Sequence, residues 1–212
     1  RNDGTVDPET YSGCTAKSFT IECPEDDILT IEVVFDVRGF TTATALASAS
    51  YTDGAYLFDQ SQGAAGLGGT LVAPTTTTLG SGLTAFPNFR SWQLEVDHQA
   101  DDSRWTLGGR NIPTVGIMET EFTADAEYND LVLRGLYLAG SGMPVTLTHT
   151  TTEVVGAGFS QFQLVIPQMF LKSPVLPPMA DETAVVSISA DVTYNGSQDP
   201  WTLVYRTASA AI

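Results

Sequence analysis

The sequence predicts an all-β fold, a β-sandwich or barrel, that carries one short helix. Three observations lead there. Short stretches alternate apolar with polar residues, glycine and proline punctuate the intervals between them, and one stretch alone has helical spacing. A chain of 212 residues can bury one sizeable core, and all-β chains of this length commonly form one unit. The expectation is an arm or loop end at residues 1–10 and a single β domain at 11–212.

Residues 1–10 hold turn formers and charge without a period. From Tyr11 the pattern sharpens. Phe19, Ile21 and Cys23 face one way, and Glu25, Asp26 and Asp27 make an acidic turn. Leu29, Ile31, Val33, Phe35 and Val37 then alternate with Thr30, Glu32, Val34 and Asp36, which completes a hairpin. The Ala, Thr and Ser run at 41–51 suits a short helix or a loop. Glycine and the tract Thr75 to Thr78 mark residues 63–83 as a mobile loop or a loose, glycine-broken hairpin.

Trp92, Leu94 and Val96 alternate with Ser91, Gln93, Glu95 and Asp97 in the next strand. Trp105 and Leu107 lead into a turn at Gly108 and Gly109. Residues 117–125 place Met118, Thr120, Phe122 and Ala124 opposite Glu119, Glu121, Thr123 and Asp125. The helix follows, with Asp125 as its N-cap, Tyr128, Leu131, Val132, Gly135 and Leu138 on its face, and Gly140 as its stop. Strands at 145–150 and 162–166 and a proline-rich connector at 173–179 come next.

Residues 183–206 close the chain as a predicted hairpin. Ala184, Val186, Ile188, Ala190, Val192 and Tyr194 share one face, and Val185, Ser187, Ser189, Asp191 and Thr193 the other. Asn195 and Gly196 are turn residues that tolerate positive φ, and Trp201, Leu203 and Tyr205 resume the alternation.

A net charge of −16 argues against a protein that works by holding phosphates. Only Lys17 and Lys172 are lysines, a balance that fits a GC-rich genome or a high-salt host. No apolar run approaches the ~20 residues that cross a bilayer as a helix. Cys14 and Cys23 lie along one predicted strand, roughly 30 Å apart at ~3.3 Å per residue, too far for a disulfide. Two free, buried cysteines fit synthesis in a reducing cytoplasm. The chain starts at Arg1 with no signal-peptide pattern, which reads as an excerpt or a processed product.

Chemistry is sparse. His98 and His149 end different strands and neither has a second ligand at metal spacing, so no metal or cofactor is expected. Glu119 and Glu121, at i and i+2, are roughly 7 Å apart and have the outline of a glycosidase pair, which would also need an aromatic-lined cleft; chance acidity in a chain with 25 carboxylates explains the pair about as well. Calcium at Glu25, Asp26 and Asp27 competes with a plain solvated turn. Asn195, Gly196 and Ser197 match a glycosylation sequon and equally a turn. The expectation is a protein that is not an enzyme.

Tyr11, Gly13, Cys14, Lys17 and Phe19 ahead of an alternating hairpin resemble a segment of the tail tube proteins, or major tail proteins, of long-tailed phages of the siphovirus type and related tailed viruses. The run from Thr44 to Tyr51 is similar to the part that follows. Arg90, Ser91, Trp92, Leu94, Val96 and Asp97, with Leu107 and Gly109, resemble that family's central strand and turn. Tyr128, Asn129 and Asp130 match its strand-helix unit, and Leu164, Ile166 and Pro167 through Tyr205 its closing strands. Members of this type carry a further N-terminal segment that contributes to the tube wall.

The resemblance implies a β domain of the phage tail tube type whose sheets extend across subunits. It implies six copies in a ring, rings stacked into a hollow tube, other tail proteins at the tube ends, and viral DNA passing through during infection without specific binding. The protein would be made in the host cytoplasm and reside in the virion tail, with no membrane partner. A polyanion slides past an acidic or hydroxyl-rich wall more freely than past lysine and arginine. Glu119, Glu121, Thr123, Ser187, Ser189, Asp191 and Thr193 are therefore the candidate lumen-facing residues, with an ordinary wet sheet face as the alternative. The competing function is a β-sandwich binding or adhesion module on a virion or cell surface, for which the Thr75 to Thr78 tract and three tryptophans speak.

Overall fold

The computed structural model describes residues 9–42, 57–101, 105–107, 109–110, 116–128, 132–156, 158–173 and 185–207. Most of the expected arm at 1–10, of the run at 41–51 and of the proline-rich connector lies outside them. The strands are β1 (Thr10–Ser12), β2 (Thr15–Cys23), β3 (Thr30–Asp36), β4 (Gly39–Thr41), β5 (Gly63–Val72), β6 (Ser81–Ala85) and β7 (Phe89–Asp97). They continue as β8 (Trp105–Thr106), β9 (Gly109–Arg110), β10 (Glu119–Glu127), β11 (Met143–Val155), β12 (Gly158–Leu171), β13 (Val185–Val192) and β14 (Thr202–Arg206). One helix, α1 (Val132–Ala139), and a 3-10 turn at Gln60–Gln62 accompany them.

The chain divides into two compact units, one of residues 1–20, 32–55 and 96–119, the other of 21–31, 56–95 and 120–212. In the first, β1 pairs with β4, setting Tyr11 against Phe40, both exposed. The chain turns at Gly13 with φ +64°, where a Cβ would come within 2.9 Å of Arg38 Cβ. β8 pairs with β9, Thr106 against Gly109, and Gly108 of the predicted turn lies outside the described residues.

One sheet runs in the order β3-β2-β7-β10-β13-β12-β11-β5-β6, and β14 pairs with β12 beside that path. The predicted hairpin of β2 and β3 is present. In the second unit Ile21 and Cys23 are buried, as are Trp92, Leu94, Phe122, Ala124, Ala126, Ile188 and Ala190, so the period of two read from sequence is the period of burial. The alternation in β3 has no such meaning. Ile31, Val33, Val34 and Phe35 are all exposed, because β3 is the end strand.

Trp92 of β7 and His149 of β11 have three strands between them in the sheet order, yet their rings lie 5.8 Å apart. The second unit therefore curls on itself around one core, as a sandwich or barrel must. His149 is 2% exposed, its Nδ1 is 2.9 Å from the Asp59 carbonyl oxygen, and burial pushes its pKa down. The Nδ1 proton donates to that oxygen, which satisfies a core histidine without a metal.

Three expectations are corrected. The stretch 183–206 is not a hairpin. β13 pairs with β10 on one side and with the C-terminal end of β12 on the other, and β14 pairs with the N-terminal part of β12. A 14-residue strand is long enough to take both partners end to end on one edge, and the segment joining them is far longer than a two-residue turn. Asp125 is no N-cap either: it sits inside β10, whose alternation runs on through Ala126, and α1 begins only at Val132. Gly140, at φ +59° with its N–H on the Tyr137 carbonyl, does end the helix. Cys14 is exposed, and only Cys23 is buried.

The glycine-rich stretch takes the hairpin form. β5 and β6 pair with register shifts around Gly69, and Gly82 has φ +87° with its Cβ position 2.4 Å from the Thr70 carbonyl oxygen. The connection at 73–80 lies over the far face of β12. Buried Gln163 accepts from Gly80 N–H at 2.7 Å and donates to the Gly80 carbonyl at 3.0 Å and to Thr148 Oγ1 at 2.9 Å. Its amide thus replaces a strand partner for Gly80.

Gln163→Leu strands both backbone groups of Gly80 in a buried place, so urea unfolding should show a loss of about 2–4 kcal/mol, whereas half-buried Gln161→Leu costs under about 1 kcal/mol. Burial, with Asp59 and Asp27 nearby, pushes the Cys23 thiol up to about 11. Iodoacetamide should accordingly label one cysteine per native chain and two after unfolding, as counted by mass spectrometry.

Candidate functional site

The two polar stripes picked out from sequence become one surface through the pairing of β10 with β13. The antiparallel register sets Glu121 opposite Asp191, Thr123 opposite Ser189 and Asp125 opposite Ser187. Odd-numbered residues of both strands therefore share a face, while Phe122, Ala124, Ile188 and Ala190 are buried on the other. Ser189 Oγ donates to Glu121 Oε1 at 2.6 Å, Ser187 Oγ to Asp125 Oδ1 at 2.6 Å, and Ser91 Oγ of β7 to Asp125 Oδ2 at 3.3 Å.

Like charges set directly across a strand pair repel. Glu121 and Asp191 are in that position, and Lys172, one residue past β12, resolves it. Its Nζ lies 3.1 Å from Glu121 Oε1 and 3.0 Å from Asp191 Oδ1, and its backbone N–H donates to the Ser189 carbonyl at 2.9 Å. The hydrogen bond from Ser189, then that from Lys172, holds the Glu121 carboxyl below the usual range. Asp191 and then Glu121 raise the Lys172 ammonium above its usual value. The cation is thereby engaged by two carboxylates.

Two of the seven candidates bond residues outside the β10–β13 pair. Glu119 starts β10 and accepts from Gln99 Nε2 at 2.7 Å, and Thr193, beyond the end of β13, bonds Gln168 through its backbone N–H at 3.1 Å and its hydroxyl at 3.5 Å. A cavity of about 680 Å³ beside the face is lined by Glu22, Glu25, Ser91, Asp125, Ser187 and Ser189 among others, and neither Glu119 nor Glu121 reaches it. In the acidic turn Glu25 is ion-paired with Arg90, and Asp27 Oδ1 accepts from Ile28 N–H at 2.8 Å. Among the described residues no helix is long and apolar enough to cross a membrane.

Sequence reasoning missed Lys172, Ser91 and the bonds of Asp125. Lys172 had one available signal, its rarity, but nothing local says which carboxylates it meets.

The family model described as phage tail tube protein matches residues 1–196 of the 212. The chain belongs to the phage tail tube protein family. No curated protein matches it. The chain is thus a structural component of the virion tail, a member of a family that assembles with itself and with other tail proteins. Its all-β fold with one short helix agrees with that membership.

Lys172→Met leaves Glu121 opposite Asp191 uncompensated. Exposed ion pairs are worth ~0–1 kcal/mol each, so the loss should stay near 1 kcal/mol, and raising salt should shrink it. Because the folded Glu121 pKa lies below its unfolded value, its stabilisation is present above about pH 4.5 and fades as pH falls through the folded value. In Lys172→Met this acid-side loss should begin from a smaller value, read from urea midpoints across pH.

Proposed function

We propose that six copies close into a ring, that rings stack into a hollow tube, and that the surface shared by β10 and β13 faces the lumen, where viral DNA passes without being retained. The observation that carries this reading is the register joining Glu121, Thr123 and Asp125 to Ser187, Ser189 and Asp191, with the nearby lysine already engaged. Phosphate contacts by lysine or arginine are what retain DNA and slow its movement. A wall of carboxylates and hydroxyls offers hydrogen bonds to water and repulsion to phosphate within a Debye length of ~8–10 Å. Glu119 and Thr193 extend the same strip at its ends in this reading.

Ring closure needs a heterologous contact whose rotation closes. Among the described strands β3 and β6 stand at opposite ends of the order, and in this reading each joins a neighbouring copy. A neighbouring subunit would cover the apolar side chains of Ile31, Val33, Val34 and Phe35. The connection at 73–80, anchored by Gln163, is the proposed contact between rings. Other tail proteins would cap the tube, and synthesis would precede assembly in the host cytoplasm.

Electron cryomicroscopy of the purified protein tests the reading. Tubes or rings with sixfold symmetry and with Glu121 and Asp191 toward the axis are the expected result. Isolated globules, another symmetry, or a β10 and β13 face turned away from the axis would refute the corresponding part. Val33→Lys with Phe35→Lys should abolish rings while leaving the monomer's melting within a few degrees, as measured by sedimentation and thermal scans.

A further inference from the structure

Asn195 is the one asparagine in the chain followed by glycine. In the segment between β13 and β14 its side-chain carbonyl gathers three donors: Ser197 N–H at 3.0 Å, Ser197 Oγ at 3.1 Å and Gln198 N–H at 2.8 Å. Nδ2 donates to Gln198 Oε1 at 3.0 Å. Asn195, Gly196 and Ser197 are exposed to water, and nothing lies within 4 Å of the place a Cβ would take on Gly196. Donors converging on a carbonyl oxygen stabilise the negative charge it acquires when its carbon is attacked. A nucleophile is already tethered beside that carbon, the backbone nitrogen of Gly196, with no side chain to hinder it.

We propose that Asn195–Gly196 is a self-modification site, at which the chain converts its own asparagine to aspartate and isoaspartate. Hydroxide removes the Gly196 amide proton, and the nitrogen bonds to Asn195 Cγ. The carbonyl electron pair moves onto Oδ1, which the three donors hold. Collapse re-forms the carbonyl and breaks the Cγ–Nδ2 bond, and Nδ2 leaves as ammonia with a proton from water. Water then opens the resulting five-membered imide at either carbonyl. In sum, one amide and one water become one carboxylate and one ammonium, with no oxidant, metal or second protein.

The product has local consequences. A carboxylate at this position cannot donate to Gln198 Oε1, and the chain becomes one unit more negative than −16. Isoaspartate also lengthens the main chain by one carbon, which removes the turn that bonds Asn195 to Ser197 and Gln198. The link between β13 and β14 would loosen without a change in either strand. This inference is independent of which face lines the lumen.

The test incubates the full chain at mildly alkaline pH and follows the peptide containing residue 195 by mass spectrometry, with isoaspartate assayed by enzymatic methylation. Conversion at Asn195 should outpace that at Asn88, rise with pH, and run faster in the native chain than in the chain unfolded in urea. Ser197→Ala removes one donor to the charged oxygen and should slow it about tenfold, and Ser197→Thr should restore it. A native chain that converts more slowly than the unfolded one would overturn the proposal, because the turn would then protect Asn195. So would an unchanged rate in a Ser197→Ala chain whose melting matches the parent. The native-against-unfolded comparison needs no variant and stands if either substitution fails to fold.

Discussion

The long strand β12 is the constraint on which the second unit depends. Its 14 residues offer two edges, and every backbone group along a buried strand needs a partner. β11 satisfies one edge over most of its length, while β14 and then β13 share the other. Phe162, Leu164 and Ile166 face the core, and Gln163 and Val165 are buried as well. Two-sided burial requires a cover on the far face, and the connection between β5 and β6 supplies one. Its backbone polarity is met by the Gln163 amide, so a segment that looks loose in sequence is tied to the centre of the sheet.

From β12 the consequences run outward to the polar surface. Because β13 meets β12 at Leu171 and β10 along its whole length, the end of β12 lies where Lys172 can span Glu121 and Asp191. The charge arrangement follows from strand order rather than from any local motif. A surface with one engaged cation among carboxylates and serine hydroxyls has little to offer a phosphate.

Much of the fold was legible because burial in a sheet has a period of two. Phe122 and Ala124, Ile188 and Ala190, and Trp92 and Leu94 were read correctly as inward residues, and Glu121, Thr123, Ser187, Ser189 and Asp191 as outward ones. Periodicity does not reveal partners. Two alternating limbs about Asn195 and Gly196 look like a hairpin whether they pair with each other or both pair with β12. It does not locate edges either, since β3 alternates as well as β10 yet buries nothing. Helical spacing misplaced the N-cap at Asp125: the ladder from β10 to β13 runs from Glu121 through Glu127 and holds Asp125 inside the strand.

By itself the sequence determined the strand class, the inward and outward faces, the excess of negative charge and the family, because these depend on local alternation, composition and the order of motifs. The tertiary structure alone decided that the two polar stripes are one surface, that Lys172 is engaged by two of its carboxylates, and that Gln163 pins a glycine-rich hairpin. Each of these joins residues far apart in the chain through hydrogen-bond register. Register is set by which strands compete for an edge, and no single segment carries that information.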